Sequence, residues 1–293
     1  VLMAAIASRA NISAAAKTSQ SGHIQKDITR DGATHLLNIR IETVPTMYGQ
    51  DAVMRLFNFD ESMLNLDLLG IPPKERAQIN EIVGHPRGMM LMVGPTGSGK
   101  STSLFSVLSM LNTPDVNIST IEDPVEYPMT LVRQTSVAES AKLDFANGIR
   151  SMMRQDPDII AVGEIRDGET AQISMRAAIT GHVVLSTIHT NDAVGTIERL
   201  EDIGVEPYLI ATALRAVISQ RLVRRICPKC KKSYEATDEE VRRLGLSTEH
   251  KHIFYRGEGC ADCFNTGYRG RIGVFEILEI TPERVIDFSG NYE

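Results

Sequence analysis

The chain has 293 residues, of which 42% are hydrophobic and 23% charged, with a formal net charge of −6. That is the composition of a globular chain of one large or two ordinary domains, and its acidic balance argues against wholesale coating of nucleic acid. The apolar runs 89–93, 159–162 and 183–185 are far shorter than the roughly 18 residues of a membrane span, and the chain does not open on a charged region followed by an apolar block, so a cytosolic protein is expected.

Residue Val1 is not an initiator Met and lies inside a helix-like stretch, 1–7, so the chain reads as a fragment. After a polar turn at 19–22 the text becomes β-rich, as in 35–41, which makes residues 1–60 a small, partial α+β domain. A linker, 61–73, carries the turn signal Gly70-Ile71-Pro72-Pro73 and leads into a helix over 74–83. A strand at 89–93 follows, then strands at 117–121, 159–162 and 183–188 alternating with helices at 145–154 and 170–179. Continuous apolar strands alternating with helices predict an α/β core over 74–226, a mostly parallel sheet with helices on both faces and its ligand at the carboxyl ends of the strands. A cysteine-bearing subdomain, 227–270, comes next. In the closing segment, 271–293, Thr281-Pro282-Glu283 has the cap, first-position proline and first-turn acid of a helix start.

The most specific chemistry is in Gly94-Pro95-Thr96-Gly97-Ser98-Gly99-Lys100-Ser101-Thr102, between the apolar strand and a helix-like Leu104-Phe105 stretch. Glycines at these offsets let backbone N–H groups turn inward around phosphate, Lys100 reaches the outer phosphates, and the Ser101 hydroxyl is placed to hold Mg²⁺. A glycine-rich surface turn would have no use for Lys100. This is a nucleoside triphosphate site.

Hydrolysis needs acids near Mg²⁺ and near the attacking water, and two acidic clusters follow core strands. One is Glu122-Asp123-Pro124-Val125-Glu126; the other runs from Asp156 to Asp167 and places Glu164 just beyond the apolar strand, where it can orient Mg²⁺ or water. Without the P-loop, either would read as a capped turn on a solvated face. His189 and Thr187 lie at the end of the next strand, where a neutral imidazole can hydrogen-bond the γ-phosphate; His182, before that strand, reads more readily as structural.

Cys227-Pro228-Lys229-Cys230 and Cys260-Ala261-Asp262-Cys263 are two C-x₂-C pairs separated by a spacer longer than in common zinc ribbons. Four thiolates saturate tetrahedral Zn²⁺, so the expected role is structural, stabilising a subdomain with little core of its own; the alternative is four reduced, unliganded thiols. Arg221, Arg224, Arg225, Lys229, Lys231 and Lys232 make a local basic cluster without interleaved aromatic platforms, which reads as a solvated or partner-facing surface.

Taken together, these motifs resemble the secretion ATPase superfamily, specifically the GspE/PilB group of type II secretion and type IV pilus assembly motors. The resemblance covers nearly the whole chain. It rests on the P-loop, on Ile121-Glu122-Asp123-Pro124-Val125-Glu126-Tyr127, on Arg154-Gln155-Asp156-Pro157-Asp158 through Gly163-Glu164-Ile165-Arg166-Asp167, on the histidine-bearing stretch from Thr180 to Asn191, on Ser219-Gln220-Arg221-Leu222-Val223-Arg224-Arg225, on the cysteines, and on Gly267-Tyr268-Arg269-Gly270-Arg271.

The resemblance implies a RecA-like core preceded by a mobile N-terminal domain, assembled as a hexamer that binds ATP between the two domains and drives an inner-membrane platform protein. It implies phosphate-facing roles for Arg40 and Arg55, in a stretch with Gln50 where relatives usually carry Glu, and for Arg150, Arg154 and Arg271. It gives Glu122 the role of activating water and Glu164 that of acting through Mg²⁺, and the residues alone do not rank the two as base. The cysteines favour an extension or secretion motor over a retraction motor. Two alternatives accompany this reading: a RecA-like nucleic-acid translocase, and a fragment that binds nucleotide without turning it over.

Overall fold

The computed structural model of the chain describes residues 2–15, 17–30, 33–58, 64–137 and 143–281. Contacts divide it into two units, Val1–Leu64 and Asn65–Glu293.

In the first unit, helix α1 (Leu2–Ala10) packs against β1 (Gln20–Arg30), which pairs antiparallel with β2 (Ala33–Thr46), itself antiparallel to β3 (Gly49–Asn58). Ile41 and Thr43 of β2 are buried while Arg40 and Glu42 are partly exposed, the period of two expected where one face of a sheet is covered. Strand character around 35–41 was legible. Strand β1 was not: the polar turn expected at 19–22 is instead largely the start of this strand, since Gln20-Ser21-Gly22-His23-Ile24-Gln25-Lys26 has no apolar run and is held by its ladder to β2.

The second unit opens on a short 3₁₀ turn, Leu66–Leu69, capped by Asn65, whose Oδ1 accepts the Asp67 N–H at 2.9 Å. This turn lies inside the expected linker and packs on the P-loop helix named below. There follow α2 (Pro73–Val83), β4 (Gly88–Val93), α3 (Lys100–Leu111), β5 (Ile118–Glu122), β6 (Val132–Ser136), α4 (Phe145–Met152), β7 (Ile159–Val162), α5 (Gly168–Ile179), β8 (Val183–Ile188), α6 (Gly195–Asp202), α7 (Pro207–Ala213) and β9 (Leu214–Ile226). The cysteine segment adds β10 (Lys231–Glu235), α8 (Asp238–Arg243) and β11 (Ile253–Gly257), with β10 and β11 paired as a separate antiparallel ribbon, before β12 (Tyr268–Glu279).

The central sheet has seven strands in the order β12-β9-β4-β8-β7-β5-β6, parallel except for β12 on β9. Met89, Leu91 and Val93 of β4 share a core with Ile149 of α4, Met175 of α5 and Leu209 of α7. The alternate residues Met90 and Met92 are equally buried and face the other side, where α3 packs on β4 and β8. A parallel sheet covered on both faces therefore stands as expected.

Three strands of the central sheet escaped the sequence: β6, β9 and β12. β9 follows α7 without a turn, and its second half, from Gln220 to Arg225, is mostly polar. Val132-Arg133-Gln134-Thr135-Ser136 is too polar to announce itself, but at the sheet edge it needs only one ladder partner. Residues 268–279, divided in the sequence reading between the cysteine subdomain and the segment beginning at 271, form β12 of the core sheet. An antiparallel edge strand needs no crossover helix, so the strand–helix alternation that revealed the rest gave no sign of it. The helix start at 281–283 lies, from Pro282 onward, outside the described residues.

Candidate active site

The loop from Gly94 to Gly99 joins the buried end of β4 to the first turn of α3. Gly94 has φ +143°, and a Cβ there would stand 2.4 Å from the carbonyl oxygen of Gln220; Gly99 has φ +87°, and a Cβ there would stand 2.9 Å from Gln220 Nε2. Strand β9 thus packs against the loop at a spacing only glycine permits. Gln220 also accepts, through Oε1, the Ser103 hydroxyl of α3 at 2.6 Å, so one side chain ties strand, loop and helix together. It was visible in the sequence only as part of 219–225.

Lys100 Nζ is directed into the loop and donates to the carbonyls of Gly94 (2.7 Å) and Pro95 (3.1 Å). Burial pulls its pKa down, with Glu164 opposing. Ser98 Oγ is buried and has no hydrogen-bond partner among the described residues, a polar atom inside the loop suited to an anionic ligand. Pro95, Thr96, Gly97 and Ser101 are exposed at the mouth, and Thr102 is half-buried with its hydroxyl bonded to Tyr127.

The strand order brings the expected acids and histidine to the same edge. β4, β8, β7 and β5 are consecutive, and their carboxyl ends carry the P-loop, His189, Glu164 and Glu122. His189 Nδ1 is 3.4 Å from Lys100 Nζ and its Nε2 is 3.7 Å from Glu164 Oε2. An ammonium can only donate, so Nδ1 accepts and the ring proton sits on Nε2, facing Glu164. Burial and then the Lys100 charge lower the His189 pKa, while Glu164 pulls the other way, so the net effect favours the neutral ring.

Arg166 bonds Glu164 through Nε (2.8 Å) and Nη2, and pairs through Nη1 with Asp123 Oδ2 at 3.2 Å. Asp123 follows Glu122 directly, so Arg166 couples the two acidic clusters; its role was not read from the sequence. Other acids of the second cluster are structural. Asp167 caps α5 by accepting the Thr170 N–H at 2.8 Å, and Asp158 accepts the Asn117 N–H at 2.7 Å.

Glu122 is 3% exposed. Its Oε1 accepts the Thr120 hydroxyl at 2.5 Å and an N–H of Gln134 at 3.0 Å. Burial raises its pKa, and these donors, with the Glu126 N–H, offset only part of the rise. Such a carboxylate is more basic than a solvated one.

The arginines are dispersed. Arg40 and Arg55 are cross-strand partners on β2 and β3 of the first unit, and Arg40 Nε pairs with Glu42 at 3.2 Å. Arg150 and Arg154 lie on and just after α4, on the sheet face away from α3. Arg150 is held by Glu169 of α5 at 2.7 Å, and Arg154 by the Ser151 hydroxyl at 3.4 Å. Arg271 is exposed and lies opposite Arg224 in the β12–β9 ladder, past the end of β4, on the edge that carries the P-loop. His182 hydrogen-bonds the Ala177 carbonyl through Nδ1 at 3.0 Å, a structural role.

The four cysteines converge. All their sulfurs lie within 4.8 Å of one another, with Cys227–Cys260, Cys230–Cys263 and Cys260–Cys263 separations of 3.9, 3.8 and 3.7 Å. A tetrahedron with Zn–S bonds of about 2.3 Å has edges of about 3.8 Å, so the donor set fits Zn²⁺. Burial opposes ionisation of Cys263, yet the N–H groups of Cys260 and Gly267 lower it to about 6, while burial pushes Cys230 up to about 11, so without a metal the cluster shares its protons unevenly. Around the cluster Lys229 pairs with Asp262 (2.6 Å) and Lys232 with Glu258 (2.6 Å), so part of the basic cluster is neutralised internally.

Fold and site together define a RecA-like P-loop nucleotide-binding protein with an appended cysteine ribbon. The profile of the family described as "Type II/IV secretion system protein" matches residues 4–288, and the chain belongs to that family. It is 46% identical to Type II secretion system protein E of Klebsiella pneumoniae over 89% of this chain and 53% of that protein, and 44% identical to that of Dickeya dadantii over 87% and 52%. It is 48% identical to the type IV pilus assembly ATPase PilB of Thermus thermophilus over 87% of this chain and 29% of that one. The chain thus spans about half the length, or less, of these relatives. Among solved structures, the pilus retraction motor PilT with bound ADP superposes with a TM-score of 0.62 at 29% identity, covering 90% of this chain and 66% of that one. The Legionella pneumophila ATPase DotB shares the fold, with a TM-score of 0.67 at 22% identity over 99% and 72%. Among the described residues no helix is long and apolar enough to cross a membrane.

Proposed function

We propose that the chain is the ATP-hydrolysing part of a hexameric motor for type II secretion or type IV pilus assembly, acting through an inner-membrane platform protein. The observation that carries this reading is the row of Lys100, His189, Glu164 and Glu122 at the ends of four neighbouring strands. Phosphoryl transfer to water needs a phosphate cradle, a metal-orienting acid, a sensor and a base, and the row supplies one group for each.

In this mechanism Lys100 and the loop N–H groups hold the outer phosphates, and Ser101 with Glu164 would hold Mg²⁺, which neutralises charge developing on the phosphate oxygens. Arg166 fixes Glu164. Neutral His189 keeps its Nε2 proton between Glu164 and the position of the γ-phosphate. Glu122, made more basic by burial, takes the proton of the attacking water. Arg40, Arg55 and Arg271 are assigned to the transferred phosphate, where an arginine can contribute about 10³–10⁵ in rate. Arg150 and Arg154, on the sheet face away from α3, are left out of this constellation. The cysteine ribbon holds Zn²⁺ as a structural centre, which favours an extension or secretion motor.

The test is turnover in the full-length parent protein. Lys100→Ala, Glu122→Gln and Glu164→Gln are each expected to reduce kcat by about 10² or more, with zinc content unchanged. Parent-like turnover in Lys100→Ala would sink the assignment.

A further inference from the structure

On this reading of Glu122 as the base, we propose that Gln134, on the edge strand β6, is a positioning residue that holds the Glu122 carboxylate in its proton-accepting orientation. Thr120 and Gln134 are ladder partners in β5 and β6, so their side chains share a face, and Glu122 follows two residues on along the same face. Both donate to one oxygen, Glu122 Oε1. A carboxylate fixed twice through the same atom cannot rotate without breaking both bonds.

The Gln134 amide is itself immobilised. Its Oε1 accepts the Met129 N–H at 2.7 Å, and its Nε2 donates to the Tyr127 carbonyl at 2.9 Å as well as to Glu122. Met129 N–H can only donate and the Tyr127 carbonyl can only accept, so these two partners decide which end of the amide faces Glu122. Both N–H donors are used. The same side chain therefore ties the loop after β5, which carries Asp123 and Tyr127, to the base.

A residue that merely stapled this loop would lower stability and leave the chemistry alone, so the experiment reads the chemistry. Steady-state ATPase kinetics of the full-length parent, across pH, are compared for Gln134→Leu, Gln134→Glu and Glu122→Gln, with thermal unfolding of each. Gln134→Leu removes a donor to the ionised carboxylate; kcat is expected to fall about ten-fold at pH 7 with KM for ATP within about two-fold, and the acid limb of the profile moves to higher pH. Gln134→Glu keeps the shape but sets a third carboxylate beside Glu122, whose other acidic neighbour is Glu126. The limb is expected to move up by about one unit or more.

If Glu122→Gln loses turnover while both Gln134 variants keep the parent kcat and pH profile, the positioning role is overturned and the base stands. The same holds if only the melting temperature falls. If Glu122→Gln keeps parent turnover, the base assignment fails, and this inference with it.

Discussion

At Gly94 the backbone meets the Gln220 carbonyl at a distance that no side chain could share, and the loop's geometry depends on that one missing carbon. The neighbour is backbone rather than the end of a flexible side chain, and φ is +143°, so relaxation is costly in two ways. Gly94→Ala is expected to destabilise the chain by about 2–4 kcal/mol and to abolish nucleotide protection against thermal unfolding. Differential scanning calorimetry with and without nucleotide measures both. At this scale the motif announced Lys100 and Ser101, because glycine spacing is local. It was silent on Gln220, Gln134 and Arg166, whose importance comes from partners such as Ser103, Glu122 and Asp123 that the ladders or strand ends bring alongside.

At the scale of elements, the cysteine ribbon has the least core. β10 and β11 pair only with each other, and among the described residues of 227–270 the buried hydrophobic ones are Cys227, Val241 and Cys263. Its stability is therefore expected to rest on metal binding, worth about 10–16 kcal/mol at structural zinc sites. Removing zinc with a chelator should raise amide exchange through Lys231–Glu235 and Ile253–Gly257 while β4, β7 and β8 stay protected. Hydrogen-exchange mass spectrometry reads this directly, and unchanged protection in the ribbon would show that its fold does not need the metal. β4 and β7 were legible as continuous apolar runs, and β5 and β8 as β-branched-rich segments in the strand–helix alternation; β9, polar in its second half, was not. Nor were β6 and β12, since edge strands need no continuous apolar run.

For the whole molecule, the acidic net charge and the internal pairing of its basic residues bear on the translocase alternative. Lys229, Lys232, Lys251 and Arg269 each lie within 4 Å of an acid in the ribbon. These pairs reduce the number of cations in the ribbon that could displace counterions from phosphate. At physiological salt, fluorescence anisotropy with a single-stranded oligonucleotide is expected to show no binding below about 100 μM, the weak limit of ordinary non-specific affinity. Micromolar binding that weakens steeply with salt would restore the translocase. The match to the Type II/IV secretion system protein family supports the motor proposed above over the translocase.

The sequence by itself determined the nucleotide site, the four-cysteine centre and the parallel α/β core, because each is written in short-range spacing: glycines around a turn, cysteines two residues apart, apolar runs as long as a strand. Only the tertiary structure decided which acid is buried and therefore basic, which histidine faces Lys100, and that Arg166 joins Glu164 to Asp123. It also separated Arg150 and Arg154 from the P-loop helix across the sheet. Those facts depend on strand order and on which face a side chain takes, and neither is set by neighbours in the chain.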